Sequence, residues 1–338
     1  MPADNELIKA MQGKALWYVG PGRAELRDEP VAEPGPGQVR VRALFGAVSR
    51  GTERLVHAGR VPTSEHHRMR APFMGGTFPF PVKYGYATVG RVESGPAELQ
   101  NLTVFTLHPH QTVFTLGADA VFPVGGAIPP ARAVLAANME TALNAVWDGA
   151  PGPADRIAIV GGGLVGLLIA YLCARLPGAD VTVVDIVPSR EKLMRAVGAR
   201  FALPDAAPPE CDLVFHTSAT AAGLASALRL AGEEATIAEL SWYGSGDVAA
   251  PLGEAFHSRR LKLISSQVGK VAPSHRPHWT LGRRLAAAIA LTADPALDAL
   301  IAPAVAFEEL PGKLAAIFSP ESNAVCQLIR YPAADAAR

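Results

Sequence analysis

The sequence predicts an α/β protein in which a doubly wound parallel sheet follows a separate β-rich region. Three observations predict it. Strand-like and helix-like runs alternate from residue 156 to residue 291, as crossover helices of a parallel sheet require. The run 157–160 is a short apolar strand that stops abruptly in glycine. Residues 15–124 instead read as strands and turns with no helical period between them. At 338 residues the chain is long enough to bury two cores.

The stretch 156–190 organises the rest. Gly161, Gly163 and Gly166 stand at G-x-G-x-x-G spacing directly after the strand. The first glycine allows the tight turn, the second lets backbone approach a pyrophosphate, and the third lets helix pack on strand. An apolar helix, 164–175, opens with Leu164 and Val165, so its free N–H groups and positive dipole end face the phosphates. A second strand, 181–184, ends in Asp185, about twenty residues past the glycines, where a carboxylate meets ribose hydroxyls. Strand, glycines, helix, strand and acid in that order predict a dinucleotide-binding unit. Asp185 repels a 2′-phosphate and so favours NAD, while Arg190 leaves NADP open.

Composition sets the outer limits. With 49% hydrophobic and 18% charged residues the chain is an ordinary globular one. Its formal net charge of zero gives no electrostatic case for nucleic acid or an anionic membrane. Cys173, Cys211 and Cys326 are far apart in apolar contexts, reading as core fillers rather than disulfides and fitting a reducing cytosol. The N-terminus shows no apolar signal segment, and the apolar run 157–172 is too short and glycine-rich to span a bilayer. The expectation is a cytoplasmic protein.

In chain order, residues before Lys14 read as a frayed leader, followed by strand runs at 15–20, 38–46, 87–93 and 103–116. Between them, 57–81 is rich in Pro, Gly and His and has no period, the mark of a functional loop. Residues 131–147 read as helix, and 149–153 (Gly-Ala-Pro-Gly-Pro) as the entry to the dinucleotide-binding region. Beyond Asp185 come a helix at 190–197, a strand at 212–215, a helix at 221–230, and strands at 235–242 and 260–269. A helix at 280–291, a short helix at 307–318 and a closing strand at 324–331 complete the chain.

This order, together with Gly51-Thr52-Glu53 after a strand, Tyr84-Gly85-Tyr86, the run 88–92 (TVGRV), the glycine turn and Asp185, resembles the medium-chain dehydrogenase/reductase superfamily. Within it, SRGTE (49–53), SWYG (241–244), FHSRRL (256–261) and SSQVG (265–269) resemble a zinc-lacking subgroup named for bacteriochlorophyllide hydroxyethyl dehydrogenase. The resemblance implies a GroES-like β-barrel catalytic domain over 1–146, a Rossmann domain over 147–267, and a return to the catalytic domain over 268–338. It further implies that Thr141, Thr217, Ser218, Ala219, Leu240, Ser241 and Trp242 line the cofactor, with Gln267 near its nicotinamide end. Strand ends are where doubly wound sheets bind ligands, in accord with most of those positions.

Zinc enzymes of the superfamily place a Cys where this chain has Arg50, a His where it has Tyr86, and a third ligand near Ala137. None of the three holds zinc. The resemblance therefore implies zinc-independent chemistry, with hydrogen-bond donors or a fixed charge polarising the substrate oxygen. Arg50 is expected to point into the vacated pocket, with Thr52 and Tyr86 completing the donor set; the alternative turns Arg50 outward or pairs it with Glu53 or Glu140. Lys83 beside Tyr84 and Tyr86 would lower a phenol pKa, although strand alternation places Lys83 on the other face. His108 and His110, and the pair His66-His67, are too few for a metal site and read as hydrogen-bonded cleft or surface residues, with His110 lining the cleft. Asn138 and Glu140 fall at the cleft edge or on a helix surface.

Three functions remain open from sequence. The first is an oxidoreductase moving hydride between NAD(P) and an alcohol/carbonyl pair. The second is an NADPH-dependent reductase of activated C=C bonds, and the third a catalytically silent dinucleotide-binding sensor. Phe73, Phe78 and Phe80 in the 57–81 loop point to an apolar small-molecule substrate. A homodimer is expected through the sheet edge at 260–269.

Overall fold

Runs of β-branched residues flanked by helices give the larger sheet its centre. The computed structural model describes residues 11–333. Arg156–Val160, buried from Ile157 onward, pairs in parallel with Asp180–Val184 on one side and Cys211–His216 on the other. Six parallel strands follow in the order Arg200–Ala202, Asp180–Val184, Arg156–Val160, Cys211–His216, Ala231–Glu239, Lys262–Ser265. Chain direction across the sheet reverses beside Arg156–Val160, and a ligand crevice opens at the carboxyl ends of the strands flanking such a reversal. Ala136–Gly149 and Leu164–Cys173 cover one face, packed on Ile157, Ile159, Leu213 and Phe215. Ala221–Leu230 covers the other, on Val160, Val214 and Ile237.

The second domain is the predicted GroES-like β domain. Its long strand Gln38–Val48 pairs antiparallel with Thr88–Ser94, Val113–Gly117 and Cys326–Arg330. Cys326–Arg330 and Ile301–Ala306 lie late in the chain, so the C-terminal return closes this sheet rather than forming one of its own. A smaller sheet holds Arg23–Pro30, Gln12–Gly20, Val82–Lys83 and Gly75–Gly76.

Several boundaries differ from the sequence reading, each for a physical reason. The first strand begins at Gln12, before Lys14, because its backbone pairs with Arg23–Pro30; residues 1–10 lie outside the described residues. Arg23–Pro30 itself has five charged side chains and only Ala24 and Leu26 on its core-facing side, so its pairing rather than its pattern reveals it. The run 103–116 is two strands, Thr103–Thr106 and Val113–Gly117, parted where Pro109 lacks an N–H and His110 turns inward. Residues 131–147 divide into Pro130–Ala133 and Ala136–Gly149. The last strand of the parallel sheet is only Lys262–Ser265, and the Gly51-Thr52-Glu53 run after the strand lies in a helix, Arg50–His57. The 57–81 loop contains no more than a 3-10 turn, Thr63–Glu65, and the two-residue strand Gly75–Gly76.

Candidate active site

The glycine turn is built as a cradle. Gly161 sits at φ +115, a conformation that side chains resist. A Cβ on Gly166 would fall 2.0 Å from the Gly161 carbonyl oxygen, so only glycine lets helix Leu164–Cys173 approach its strand this closely. Gly163, the helix cap, has no heavy atom within 4 Å of where its Cβ would be, and this is the open face of the cradle. Thr217 Oγ1 donates to the Gly161 carbonyl over 2.9 Å and ties the neighbouring strand end to the turn.

Asp185 closes the cradle from the second strand. Its carboxylate is buried and accepts from the Gly162 N–H at 2.6 Å and the Val187 N–H at 2.8 Å. Each carboxylate oxygen carries two lone pairs, so acceptor capacity remains for hydroxyl donors. Arg190 reaches back to Asp185 at 3.4 Å and to the Ser322 carbonyl at 3.3 Å. Beside them Ile186 is 78% exposed, an apolar surface standing free at the mouth of the turn.

The other predicted lining residues occupy the same lip with unequal geometry. Ser241 Oγ accepts from the Ala219 N–H at 3.0 Å, joining the turns after Cys211–His216 and Ala231–Glu239. Leu240 packs on the larger core, whereas Trp242 reaches out of the Rossmann domain onto the apolar cluster of the β domain. Thr141 Oγ1 donates to the Ala137 carbonyl within its own helix. Gln267 is exposed and caps the Gly269 N–H at 2.6 Å. Its segment is held by Arg284, a fully buried guanidinium donating to the Val268 and Lys270 carbonyls and paired with Glu140 at 3.0 Å. Glu140 is thus neither at the cleft edge nor on a surface. Burial raises its carboxyl pKa against the pull of Arg284.

Across the crevice, helix Arg50–His57 brings hydroxyl groups together. The Tyr86 phenol donates to Ser49 Oγ at 2.5 Å, and Thr52 lies within hydrogen-bonding reach of the same phenol. Burial pushes the Tyr86 pKa up to about 12 despite these partners, so the phenol stays protonated at neutral pH. Glu53, with no exposed surface, fixes the helix start by accepting from the Ser49 N–H at 2.8 Å, Tyr18 OH at 2.7 Å and His110 Nε2 at 2.9 Å.

Three expectations are corrected here. Arg50 does not enter the pocket with Thr52 and Tyr86, and it pairs with neither Glu53 nor Glu140. Its guanidinium donates to the carbonyls of Ala324 at 2.6 Å, Ser319 at 2.8 Å and Ser322 at 3.3 Å, because the helix turns residue 50 toward the C-terminal return. Lys83 binds Glu29 at 2.5 Å and Gln111 at 2.9 Å, away from both phenols, as strand alternation demands. His110 does not line the cleft but is buried behind it on Glu53. His108 is stacked on Phe114, and burial lowers its pKa to about 3.

The donors present do not fit a catalytic zinc. Ser49, Thr52 and Tyr86 offer neutral hydroxyls, Arg50 is turned away, and Ala137 has no donor. Among the described residues no three His, Cys, Asp or Glu side chains converge.

No protein-family model matches the sequence, and no curated protein matches it. Solved structures do resemble the fold. L-idonate 5-dehydrogenase from Escherichia coli superposes with a TM-score of 0.77 at 13% identity, covering 95% of this chain and 98% of that one. An alcohol dehydrogenase from E. coli complexed with NADH gives 0.74 at 14%, covering 94% and 99%. 2R,3R-butanediol dehydrogenase from Bacillus subtilis gives 0.71 at 16%, covering 95% and 100%. The chain therefore has the fold of these dehydrogenases, a Rossmann domain joined to a GroES-like domain, over nearly its whole length.

Proposed function

We propose that the protein is a zinc-independent oxidoreductase that interconverts an alcohol and a carbonyl with a nicotinamide dinucleotide, NAD in preference to NADP. The observation that carries this reading is the pairing of Gly162 and Asp185. The Gly162 N–H donates to Asp185 in a turn whose next residue, Gly163, leaves open space for a pyrophosphate at the helix start. The cradle thus fits the dinucleotide: the first helical turn at Leu164 and Val165 would meet the phosphates and Asp185 a ribose diol. A phosphate on that ribose would meet the Asp185 carboxylate, which favours NAD. When bound, the nicotinamide ring supplies or accepts the hydride.

The chain's own residues supply the rest. Ser49, Thr52 and Tyr86 form a fixed donor set for the substrate oxygen, and preorganised donors act strongly where charge develops. Tyr86 keeps its proton and donates it to Ser49 Oγ, so it acts as an orienting donor rather than as a phenolate base. That contact leaves the Ser49 hydroxyl hydrogen, with that of Thr52, to turn to the substrate oxygen. Glu53 holds the Ser49 backbone and so sets the geometry of all three. Phe78 and Phe80 pack into the core of the β domain, so the apolar surface left for a small-molecule substrate is that of Phe73, 44% exposed, and of the half-buried Trp242 beside Ser241. Leu263 is 39% exposed on the outermost strand of the parallel sheet, and this edge is the proposed homodimer contact. Among the described residues no helix is long and apolar enough to cross a membrane.

The test is absorbance of reduced nicotinamide with NAD or NADP and a panel of apolar alcohols, ketones and enones. Alcohol-dependent reduction of NAD, undiminished by a strong chelator, is expected. Turnover of enones alone would establish C=C reduction instead, and binding without turnover on any of them would make the protein a silent sensor.

A further inference from the structure

Beyond the hydroxyl chemistry proposed above, the nucleotide lip itself carries a polar cluster, whose Ser218 and Ser241 are also predicted to line the cofactor. His216 and Glu239 end adjacent parallel strands and are paired in register. Their side chains share the sheet face covered by Ala221–Leu230, since Val214 and Ile237, two residues earlier, pack there. His216 Nδ1 lies 2.6 Å from Glu239 Oε2, and His216 Nε2 lies 2.7 Å from Ser218 Oγ. We infer that Ser218, His216 and Glu239 form a second reactive centre, in which the Ser218 hydroxyl is a nucleophile toward activated carboxylic esters.

Every proton in the cluster has a direction. Glu239 accepts from the Ser241 N–H at 2.7 Å and from Tyr243 OH at 3.1 Å, so its acceptors are fixed. Burial raises its pKa, but His216 and Ser241 outweigh burial and leave it below the usual carboxylate range. An ionised carboxylate only accepts, so it holds the proton on Nδ1 and leaves Nε2 with a lone pair aimed at Ser218. Thr220 Oγ1 lies 3.0 Å from Ser218 Oγ and already accepts the Gly223 N–H as helix cap. The Thr220 proton therefore turns to Ser218. Ser218 receives one hydrogen bond, gives one, and keeps a lone pair for attack.

The placement also gives access. Ser218 follows a parallel strand and precedes a helix, the strand–turn–helix position that presents a nucleophile at the top of a sheet. Ser218 is half-buried and Thr220 exposed. A Cβ on Gly223 would stand 2.0 Å from Ser218 Oγ and 2.6 Å from His216 Nε2, so only glycine lets the helix start pack this closely on the pair, with His216 fully buried beneath the half-buried Ser218.

In the step this geometry allows, Ser218 Oγ bonds to the ester carbonyl carbon as its proton passes to His216 Nε2. The bond from carbon to the leaving oxygen breaks as Nε2 returns the proton to that oxygen. Water then attacks the acyl-serine, its proton passing through Nε2 to Ser218 Oγ as the carboxylic acid departs. Glu239 acts as a positioning residue and remains a carboxylate throughout.

The experiment uses the full chain with p-nitrophenyl acetate and, separately, a fluorophosphonate. The expected results are steady release of p-nitrophenolate and a phosphonate adduct mapped by mass spectrometry to Ser218. Ser218→Ala should lower hydrolysis by about 10³-fold or more, the scale of losing a triad member. Glu239→Gln should lower it comparably and Glu239→Asp should restore part of the rate, which a purely structural contact would not do. An adduct on another residue, no adduct at all, or unchanged hydrolysis by Ser218→Ala would overturn the inference. The labelling arm needs no variant to fold.

Discussion

The phenol of Tyr86 donates to Ser49 Oγ across 2.5 Å, although 37 residues separate them. One group stands at the mouth of a helix and the other just before strand Thr88–Ser94, and their contact defines the donor set. Tyr86→Phe removes the donor and keeps the ring. It should leave NAD affinity unchanged by calorimetry and cut turnover roughly a hundredfold, the effect of losing one transition-state donor. Near-normal turnover would remove Tyr86 from the site.

Alkaline stability should reflect the buried phenols. Burial raises the pKa of Tyr18, Tyr84, Tyr86 and Tyr331 in the folded chain. The unfolded chain loses these protons near pH 10, so the stability they contribute is full below that pH and is lost above it, through about pH 12 for Tyr86. Melting temperature should be level from about pH 7 to 9 and fall steeply beyond about 10. A flat profile to pH 11.5 would contradict the burial of these groups.

Asp185→Ala should narrow or reverse the preference for NAD over NADP. The loss in NAD affinity should be about tenfold or more, the scale of one charge-assisted hydrogen bond. Tighter binding of NADP than NAD by the unmodified chain would defeat the assignment.

Arg50 ties the helix Arg50–His57 to the carbonyls of Ser319, Ser322 and Ala324. Arg50→Ala should therefore destabilise the fold by about 1–3 kcal/mol, with Arg50→Lys recovering little because one ammonium cannot span three carbonyls. Urea unfolding measures this directly. An unaltered midpoint would show that the three contacts contribute nothing.

The buried pair Glu140–Arg284 gives a sharper test of energetics. Arg284→Met should cost about 3–5 kcal/mol, because Glu140 is left charged and unpaired in the interior. Adding Glu140→Gln should recover part of that loss. Equal stability of the single and double variants would mean that Glu140 is neutral or solvated.

The sequence made the Rossmann half legible because its signals are local. Ile157 to Val160, the glycines and Asp185 lie within one βαβ unit, so spacing alone orders them. The helix expected at 221–230 stands at Ala221–Leu230, and Thr220 caps it by accepting the Gly223 N–H. Arg23–Pro30 was not legible, because only Ala24 and Leu26 face the core in a strand with five charged residues, and its long antiparallel pairing with Gln12–Gly20 is what fixes it.

The site divides the same way. Sequence alone determined the glycine cradle and its closing acid, each from residue type at a fixed local spacing. That Arg50, Tyr86 and Ala137 stand where zinc enzymes have ligands is what the resemblance implies. Tertiary structure decided where Arg50 points, that Ser49 and Glu53 support the donor set, and that Arg284 holds the segment after Lys262–Ser265. It also decided that His216 meets Glu239 and Ser218. A helix rotates each successive side chain by about 100°, so one residue of uncertainty in where it starts turns Arg50 from the pocket to the C-terminal return. His216 and Glu239 meet only through strand register, and no spacing within a single chain segment encodes the register between two strands.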